Sequence, residues 1–221
     1  MELKSEQIAQ GRQSLSPGGD RTISLRDLRV TAIANLGVTR DGYDCIDLSN
    51  NEIRKLDNIP LLPRLRTLVL AGNRISKISD TLGDSVPNLS SLVLAGNNIA
   101  QLSDLSPLFK LIKLERVSLL DNPVIAVPRF TEYMVFRLPS LRYLNFCKVA
   151  QKDRRSAAEF FRTEEGLSLL REHGYDPFAS LGGVKERADV LAMMEKTTDV
   201  GSLLELEKRL MQPESGVPSA I

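Results

Sequence analysis

The stretches LVLAGNRI (68–75) and LVLAGNNI (92–99) agree at seven of eight positions and begin 24 residues apart. Extended outward, the pair becomes the pattern L-x-x-L-x-L-x-x-N-x-[IVL]-x-x-[IVL]. LRTLVLAGNRISKI supplies Leu65, Leu68, Leu70, Asn73, Ile75 and Ile78, and LSSLVLAGNNIAQL supplies Leu89, Leu92, Leu94, Asn97, Ile99 and Leu102. YDCIDLSNNEIRKL keeps Ile46, Leu48, Asn51, Ile53 and Leu56, and LERVSLLDNPVIAV keeps Leu114, Val117, Leu119, Asn122, Val124 and Val127. The four asparagines lie 22, 24 and 25 residues apart. A generic helical bundle gives no reason for an asparagine at a fixed offset from three apolar residues. A stacked array does, because every unit must fill the same slot against its neighbours.

The pattern resembles the leucine-rich repeat, whose period and signature it follows closely. That resemblance implies an α/β solenoid of about five to six repeats, with a parallel sheet on its concave face. The leucines fill the space between layers. Asparagine suits the turn because its amide can satisfy backbone groups left unpaired as the chain leaves the sheet. Two degenerate units read as ends: ISLRDLRVTAI keeps Ile23, Leu25, Val30 and Ile33 but has Leu28 in the asparagine slot, and LRYLNFCKV keeps Leu141, Leu144, Phe146 and Val149 but lacks the asparagine. Solenoid ends need covers. SEQIAQGRQSL is expected to form a short amphipathic helix through Ile8 and Leu15. The aromatics Phe130, Tyr133, Phe136, Tyr143, Phe146, Phe160 and Phe161 are expected to fill a C-terminal cap.

The resulting division is an N-terminal flank over 1–22, repeats with their cap over 23–165, a linker over 166–182, a helical tail over 183–212 and a flexible tail over 213–221. REHGYDPFASLGG has loop composition, and helical spacing returns with Val190, Leu191 and Met194. That apolar stripe could dock on the repeats or on a partner.

Side chains alternate along a strand, so the residues between the leucines face the concave side. In order they are Ser24 and Arg26; Asp47 and Ser49; Thr67, Val69 and Ala71; Ser91, Val93 and Ala95; Arg116, Ser118 and Leu120; Tyr143, Asn145 and Cys147. The centre is small and apolar, and charge gathers at the ends. Six strands at about 4.8 Å span roughly 25 Å, the length of a helix of about 16 residues. Exposed apolar patches of this kind tend to mark interaction sites, although two valines and a leucine also fit ordinary surface scatter. Bare RNA suits the centre poorly, since a nucleic-acid platform calls for stacked aromatics and cations. Basic residues at the margins, Arg21, Arg26 and Arg29 at one end and Lys148, Lys152, Arg154 and Arg155 at the other, could contact phosphates or simply form a solvated rim.

Composition narrows the function classes. In 221 residues, 29 Lys and Arg nearly balance 28 Asp and Glu, which removes the global basic field of a dedicated nucleic-acid binder. Two cysteines, Cys45 and Cys147, and one histidine, His173, cannot supply a four-ligand zinc cluster or a plausible triad. No cofactor, metal or catalytic site is expected. No apolar run approaches a membrane span, and the N-terminus lacks a signal-peptide core, so an intracellular protein with no membrane association is the default expectation.

Three stretches carry a narrower likeness: AIANLGVTRDGYDCIDLSNNEIRKLDNIPLLPRLRTLVLAGNRI, the cap NPVIAVPRFTEYMVFRLPSLRYLNFCKV with QKDRRSA, and ADVLAMMEKTTDVGSLLELEKRLMQ. Together they resemble the A-prime leucine-rich-repeat subunits of the U2 small nuclear ribonucleoprotein. The resemblance implies a nuclear, non-enzymatic scaffold in pre-mRNA splicing. Its implied partners are a B-double-prime-type RNA-recognition-domain protein, with a helix in the concave face, and a U2 snRNA stem-loop touched mainly at phosphates. Other spliceosome proteins could meet the tail. On that reading Val69, Ala71, Val93, Ala95, Ser118 and Leu120 form the helix-receiving surface. Arg26, Asp47, Thr67, Ser91, Arg116 and Tyr143 surround it. A phosphatase-regulatory or axonemal-type interaction module is the alternative, and an enzyme that uses repeats for substrate capture is a remoter one.

Overall fold

A computed structural model describes residues 1–16 and 18–175. The tail expected over 183–212 and 213–221 lies outside the described residues. Two compact units are distinguished, one over 1–154 and one beginning at Arg155.

In the first unit, strands β2 (Arg21–Ser24), β3 (Cys45–Asp47), β5 (Thr67–Val69), β7 (Ser91–Val93), β8 (Arg116–Ser118) and β9 (Tyr143–Leu144) stack in parallel and in register. They are the six expected strands. Two short strands, β4 (Lys55–Leu56) and β6 (Lys77–Ile78), pair in parallel on their own, and the return segments include the short helix α2 (Leu82–Ser85) and 3-10 turns at Leu102–Lys110 and Pro123–Ala126. The pattern leucines are the core: Leu65, Leu68, Leu70, Leu89, Leu92, Leu94, Leu114 and Leu119 are all essentially inaccessible. Each layer buries the next, which is why no single repeat could fold alone.

The asparagines form a buried ladder. Asn73 donates through Nδ2 to Leu48 O and Leu70 O, each at 3.0 Å, and accepts at Oδ1 from Ile53 N at 3.1 Å. Asn97 repeats this with Leu70 O, Leu94 O and Ile75 N, all at 2.9 Å. Asn51 and Asn122 do the same in their own layers. One amide thus satisfies its own turn and the preceding repeat at once, where an unpaired buried group costs about 1–3 kcal/mol.

The residue before each asparagine carries a second constraint. Asn50, Gly72, Gly96 and Asp121 have φ of 57°, 65°, 66° and 55°, and Asp27 in the first unit has 59°. Glycine, asparagine and aspartate are the residues that tolerate this left-handed region. At Gly72 the space is also closed, since a Cβ would stand 2.7 Å from Asn50 Oδ1.

Both ends of the sheet depart from the sequence-based expectation. Helix α1 (Ser5–Ala9) buries Ile8, but it ends ahead of Gly11, and Leu15 belongs to strand β1 (Arg12–Leu15), which pairs antiparallel with β2 and leaves Leu15 69% exposed. A Cβ at position 11 would press on Leu25 and Ile23, which fits a glycine where the chain turns from helix into strand. At the other end, β9 folds back into β10 (Cys147–Lys148) through Asn145 and Phe146, with φ of 50° and 64°. Two positive-φ central residues are what a two-residue type I′ hairpin requires. The hairpin turns Phe146 out to 74% exposure, so the expected core role of Phe146 is overturned. Asn145 nonetheless accepts from Leu119 N at 2.7 Å, closing the last layer from a position four residues ahead of the usual slot.

Helix α3 (Phe130–Arg137) caps this end, burying Phe130, Tyr133, Met134 and Val135, with Tyr133 edge-on to Phe109 at 5.7 Å. Helix α4 (Gln151–Phe160) follows. In the second unit, Thr163 caps α5 (Glu164–Glu172) by accepting from Gly166 N at 3.2 Å, and Phe160 meets Phe161 edge-on at 5.0 Å. The linker expected from 166 therefore begins inside a helix, because a threonine N-cap and acidic first turn favour continued helix there.

Candidate functional site: the concave sheet face

The register of the parallel strands aligns the residues between the leucines into columns. Thr67 stands beside Ser91 and Val69 beside Val93. Thr67, Val69, Ala71, Ser91, Val93, Ala95 and Leu120 are half-buried, while their leucine neighbours are closed. A strip of small apolar side chains runs across β5, β7 and β8, low enough for another backbone to approach. At the β2 end, Arg26 and Asp47 form an ion pair at 3.6 Å, and Asp47 also accepts from the Ser49 hydroxyl and Ser49 N at 2.9 Å. Ser49 is consequently buried.

Ser118 departs from the expected surface. It is 3% exposed, and its hydroxyl has no hydrogen-bond partner. Beside it, Asn145 of the hairpin of β9 and β10 bonds across to Val117 O and Leu119 N, on either side of Ser118. Next to it opens a cleft of about 300 Å³ lined by Ser91, Val93, Arg116, Ser118, Tyr143 and Phe146. Tyr143 is 40% exposed. Tyr143 and Phe146 thus stand on the surface instead of filling the cap. Phe146 was not legible as a surface residue, because it matches the third apolar position of the pattern; the signal against that match was the missing asparagine three residues on, where Val149 stands.

The basic residues expected at the margins lie in two separated groups. Arg21, Arg26 and Arg29 are exposed beside β2, at one end of the sheet, while Lys148 and Lys152 are exposed at the other. Arg154 is half-buried, donates to Leu141 O, and its guanidinium pKa is lowered by burial. Arg155 is exposed and belongs to the second unit. A third basic region went unforeseen. Along the edge where the strands begin, a groove of about 970 Å³ is lined by Arg64, Arg66, Lys113, Arg142 and Arg154 together with Asp41, Asp44 and Glu115. Arg64 pairs with Asp44 and Arg142 with Glu115, each at 3.5 Å. Its sequence signal is a cation just ahead of β5, β8 and β9, in PRLRTL, IKLERV and PSLRYL.

Among the described residues, no group of three or more His, Cys, Asp and Glu side chains could hold a metal ion, and no helix is long and apolar enough to cross a membrane. Cys45 is half-buried and Cys147 exposed, both as free thiols. The concave face itself offers recognition by shape, apolar contact and charge.

Comparison with known proteins bears on what is recognised. Residues 1–173 match the leucine-rich repeat family model. The chain is 49% identical to the probable U2 small nuclear ribonucleoprotein A' of Drosophila melanogaster over 172 residues, covering 78% of this chain and 65% of that protein. It is 36% identical to the U2 small nuclear ribonucleoprotein A' of Homo sapiens over 218 residues, covering 94% of this chain and 86% of the human one. Among solved structures, a chain of the Drosophila melanogaster SNF/U2A' complex superposes with a TM-score of 0.75 at 50% identity, covering 78% of this chain and 99% of that one. The repeat ladder, the sheet and these relatives converge, and the chain belongs to the leucine-rich-repeat family of U2 small nuclear ribonucleoprotein A' proteins.

Proposed function

We propose that this chain is a non-enzymatic scaffold of the nuclear splicing machinery. It binds a B-double-prime-type RNA-recognition-domain protein through its concave face and supports that partner's hold on a U2 snRNA stem-loop. The observation that carries the reading is the likeness to a U2A' chain solved in complex with SNF, which covers nearly all of that chain. The fly relative is matched over 65% of its length, so the partner assignment rests on the part of that family the chain spans.

The mechanism follows from the face itself. An α-helix of the partner lies across the strip of Thr67, Val69, Ala71, Ser91, Val93 and Ala95, where small side chains allow close approach and burial of apolar area supplies the driving force. The Arg26–Asp47 pair and Arg116 fix its direction, since rim charges steer and orient more than they add affinity. Basic residues at both ends of the sheet then stand where phosphates of RNA held by the partner could meet them, contributing salt-dependent contacts without reading bases.

The test is affinity purification of the tagged protein from nuclear extract, with identification of bound proteins and sequencing of bound RNA. Recovery of an RNA-recognition-domain protein and U2 snRNA is expected. Recovery of neither overturns the proposal, and recovery of the protein without the RNA overturns its RNA half.

A further inference from the structure

One residue ahead of the strands, the parallel ladder continues through the backbone: Arg66 N donates to Asp44 O at 2.8 Å, Ser90 N to Arg66 O at 2.9 Å, Glu115 N to Ser90 O at 2.9 Å and Arg142 N to Glu115 O at 2.7 Å. These residues therefore stand side by side in successive layers along the groove at the strand starts. The charges there are not equally engaged. Arg64 pairs with Asp44 and Arg142 with Glu115, each at 3.5 Å, while both Asp41 carboxylate oxygens accept from Arg64 N at 3.0 Å. Two cations are left over. Arg66 is exposed and pairs with no carboxylate among the described residues, and the Lys113 ammonium donates only to the neutral Asn88 Oδ1, at 2.6 Å. Between them the β7 layer contributes only Ser90 and Asn88. Pro63, Ile112 and Pro139, each one residue after a buried leucine in its own repeat, line the same groove with apolar surface, and Ile112 is 78% exposed.

We infer that this groove docks an extended acidic segment of a protein partner, carrying two carboxylates three residues apart with apolar residues between them. Arg66 belongs to the layer of β5 and Lys113 to that of β8, with β7 between, so their backbones are two strand spacings or about 10 Å apart. In a polyproline II segment, residues three apart share one edge and lie about 9 Å apart. One carboxylate then meets each cation, and the intervening side chains lie along Pro63 and Ile112. Ser90, the short side chain between the two, leaves room for the segment's backbone. The groove's own carboxylates favour a protein over RNA. A continuous polyanion would run past Asp41, Asp44 and Glu115, and no aromatic ring lines the groove for a base to stack on. A peptide carries charge only where a cation awaits it. The groove lies ahead of the strands and off the strip of Val69 and Val93, so the inference does not rest on the partner proposed above.

The experiment titrates the isotope-labelled full chain, followed by NMR at low and physiological salt, with the end-blocked peptide Pro-Glu-Val-Pro-Glu-Val-Pro, with its glutamine counterpart and with a short oligouridylate. The glutamate peptide should shift the amides of Arg66, Ser90 and Lys113 saturably and bind about tenfold more tightly than the glutamine peptide, by a margin that narrows with salt. Arg66→Gln with Lys113→Gln should remove that margin and leave the rest of the spectrum unchanged. Should the double variant fail to fold, Arg66→Gln alone serves, because that side chain makes no hydrogen bond or ion pair in the structure; a loss of about threefold is then expected. Equal affinity for the glutamate and glutamine peptides, or no saturable shift at these amides, overturns the inference. So does tighter binding of the oligouridylate at the same amides, which makes the groove an RNA-backbone site. A peptide with its two glutamates adjacent should bind about threefold more weakly, and equal binding overturns the spacing. Val69→Asp with Val93→Asp should leave the peptide's affinity unchanged, whereas a loss there puts the peptide on the concave face and refutes the groove.

Discussion

Val69 and Val93 are register partners on adjacent parallel strands, both half-buried on the concave face, while Leu68, Leu70, Leu92 and Leu94 on either side of them are closed in the core. The alternation sets opposite fates for neighbouring substitutions. Val69→Asp with Val93→Asp should leave a cooperative fold, weakened by roughly 1 kcal/mol for two like charges directly across a ladder. Leu70→Asp should cost more than about 4 kcal/mol, because it buries an unpaired charge. Urea titration followed by circular dichroism distinguishes them.

Asn97→Asp should destabilise the repeats by roughly 3 kcal/mol or more. The amide of Asn97 donates to Leu70 O and Leu94 O, and the carboxylate would turn an acceptor toward each carbonyl. Asn98→Asp, one residue along and exposed, should change stability by less than about 0.5 kcal/mol. Denaturation midpoints of the two variants provide the comparison.

Gly72→Ala and Gly96→Ala should cost about the same. Both glycines have φ near 65°, so both substitutions carry the left-handed penalty of roughly 1 kcal/mol. At Gly72 the new methyl also meets Asn50 Oδ1 at 2.7 Å, but that atom ends an exposed side chain that can turn away; at Gly96 the nearest atom is at an ordinary 3.5 Å. Asp121→Gly, at φ 55° in the equivalent position, should be neutral or stabilising. Thermal melts of the three variants rank them.

Phe146→Gly should stabilise the free protein by roughly 1 kcal/mol, since Asn-Gly is the favoured pair for a type I′ hairpin and Phe146 is strained at φ 64°. The same variant removes a wall of the cleft and should weaken partner binding. Opposite signs in melting temperature and in affinity would mark Phe146 as a residue kept for recognition.

Burial pushes the Cys45 thiol and the Tyr133 phenol above their ordinary values; Thr22 opposes this at Cys45, where Asp47, Asp20 and Asp44 add to it, and Arg137 opposes it at Tyr133. The folded protein therefore holds protons that the unfolded chain releases. The stability this represents is complete below the ordinary thiol and phenol pKa values, and it falls as pH rises through about 9 to 10. Urea midpoints should decline from pH 8 to pH 10.5, and Cys45→Ala should flatten the lower part of that decline.

The repeat was legible because its constraint is the same in every layer: Leu68 and Leu92 fill one slot, and Asn73 and Asn97 close one turn. The half-exposed column of Val69 and Val93 followed from strand alternation alone. The ends were less legible because their constraint is not repeated. Leu15 fits a helical stripe in sequence, but the open edge of β2 offers a ladder of hydrogen bonds that a short helix running through Gly11 cannot match. Phe146 fits the leucine slot, yet among the described residues no parallel strand follows β9 in the sheet, and the chain folds back instead. Ser118 alternates outward as its repeat demands, yet it is buried beside the strand that carries Asn145, a neighbour its own repeat does not encode.

The asparagine ladder also has a direction. Asn73 serves the carbonyl of Leu48 and the amide of Ile53, Asn97 serves Leu70 and Ile75, and Asn122 serves Leu94 and Ile99, always reaching toward the preceding repeat. No turn is finished by its own sequence. A chain emerging from the ribosome therefore leaves each repeat with unpaired backbone groups until the next asparagine has been synthesised, 22 to 25 residues later. Consolidation trails synthesis by one unit and ends when Asn145 closes the last layer.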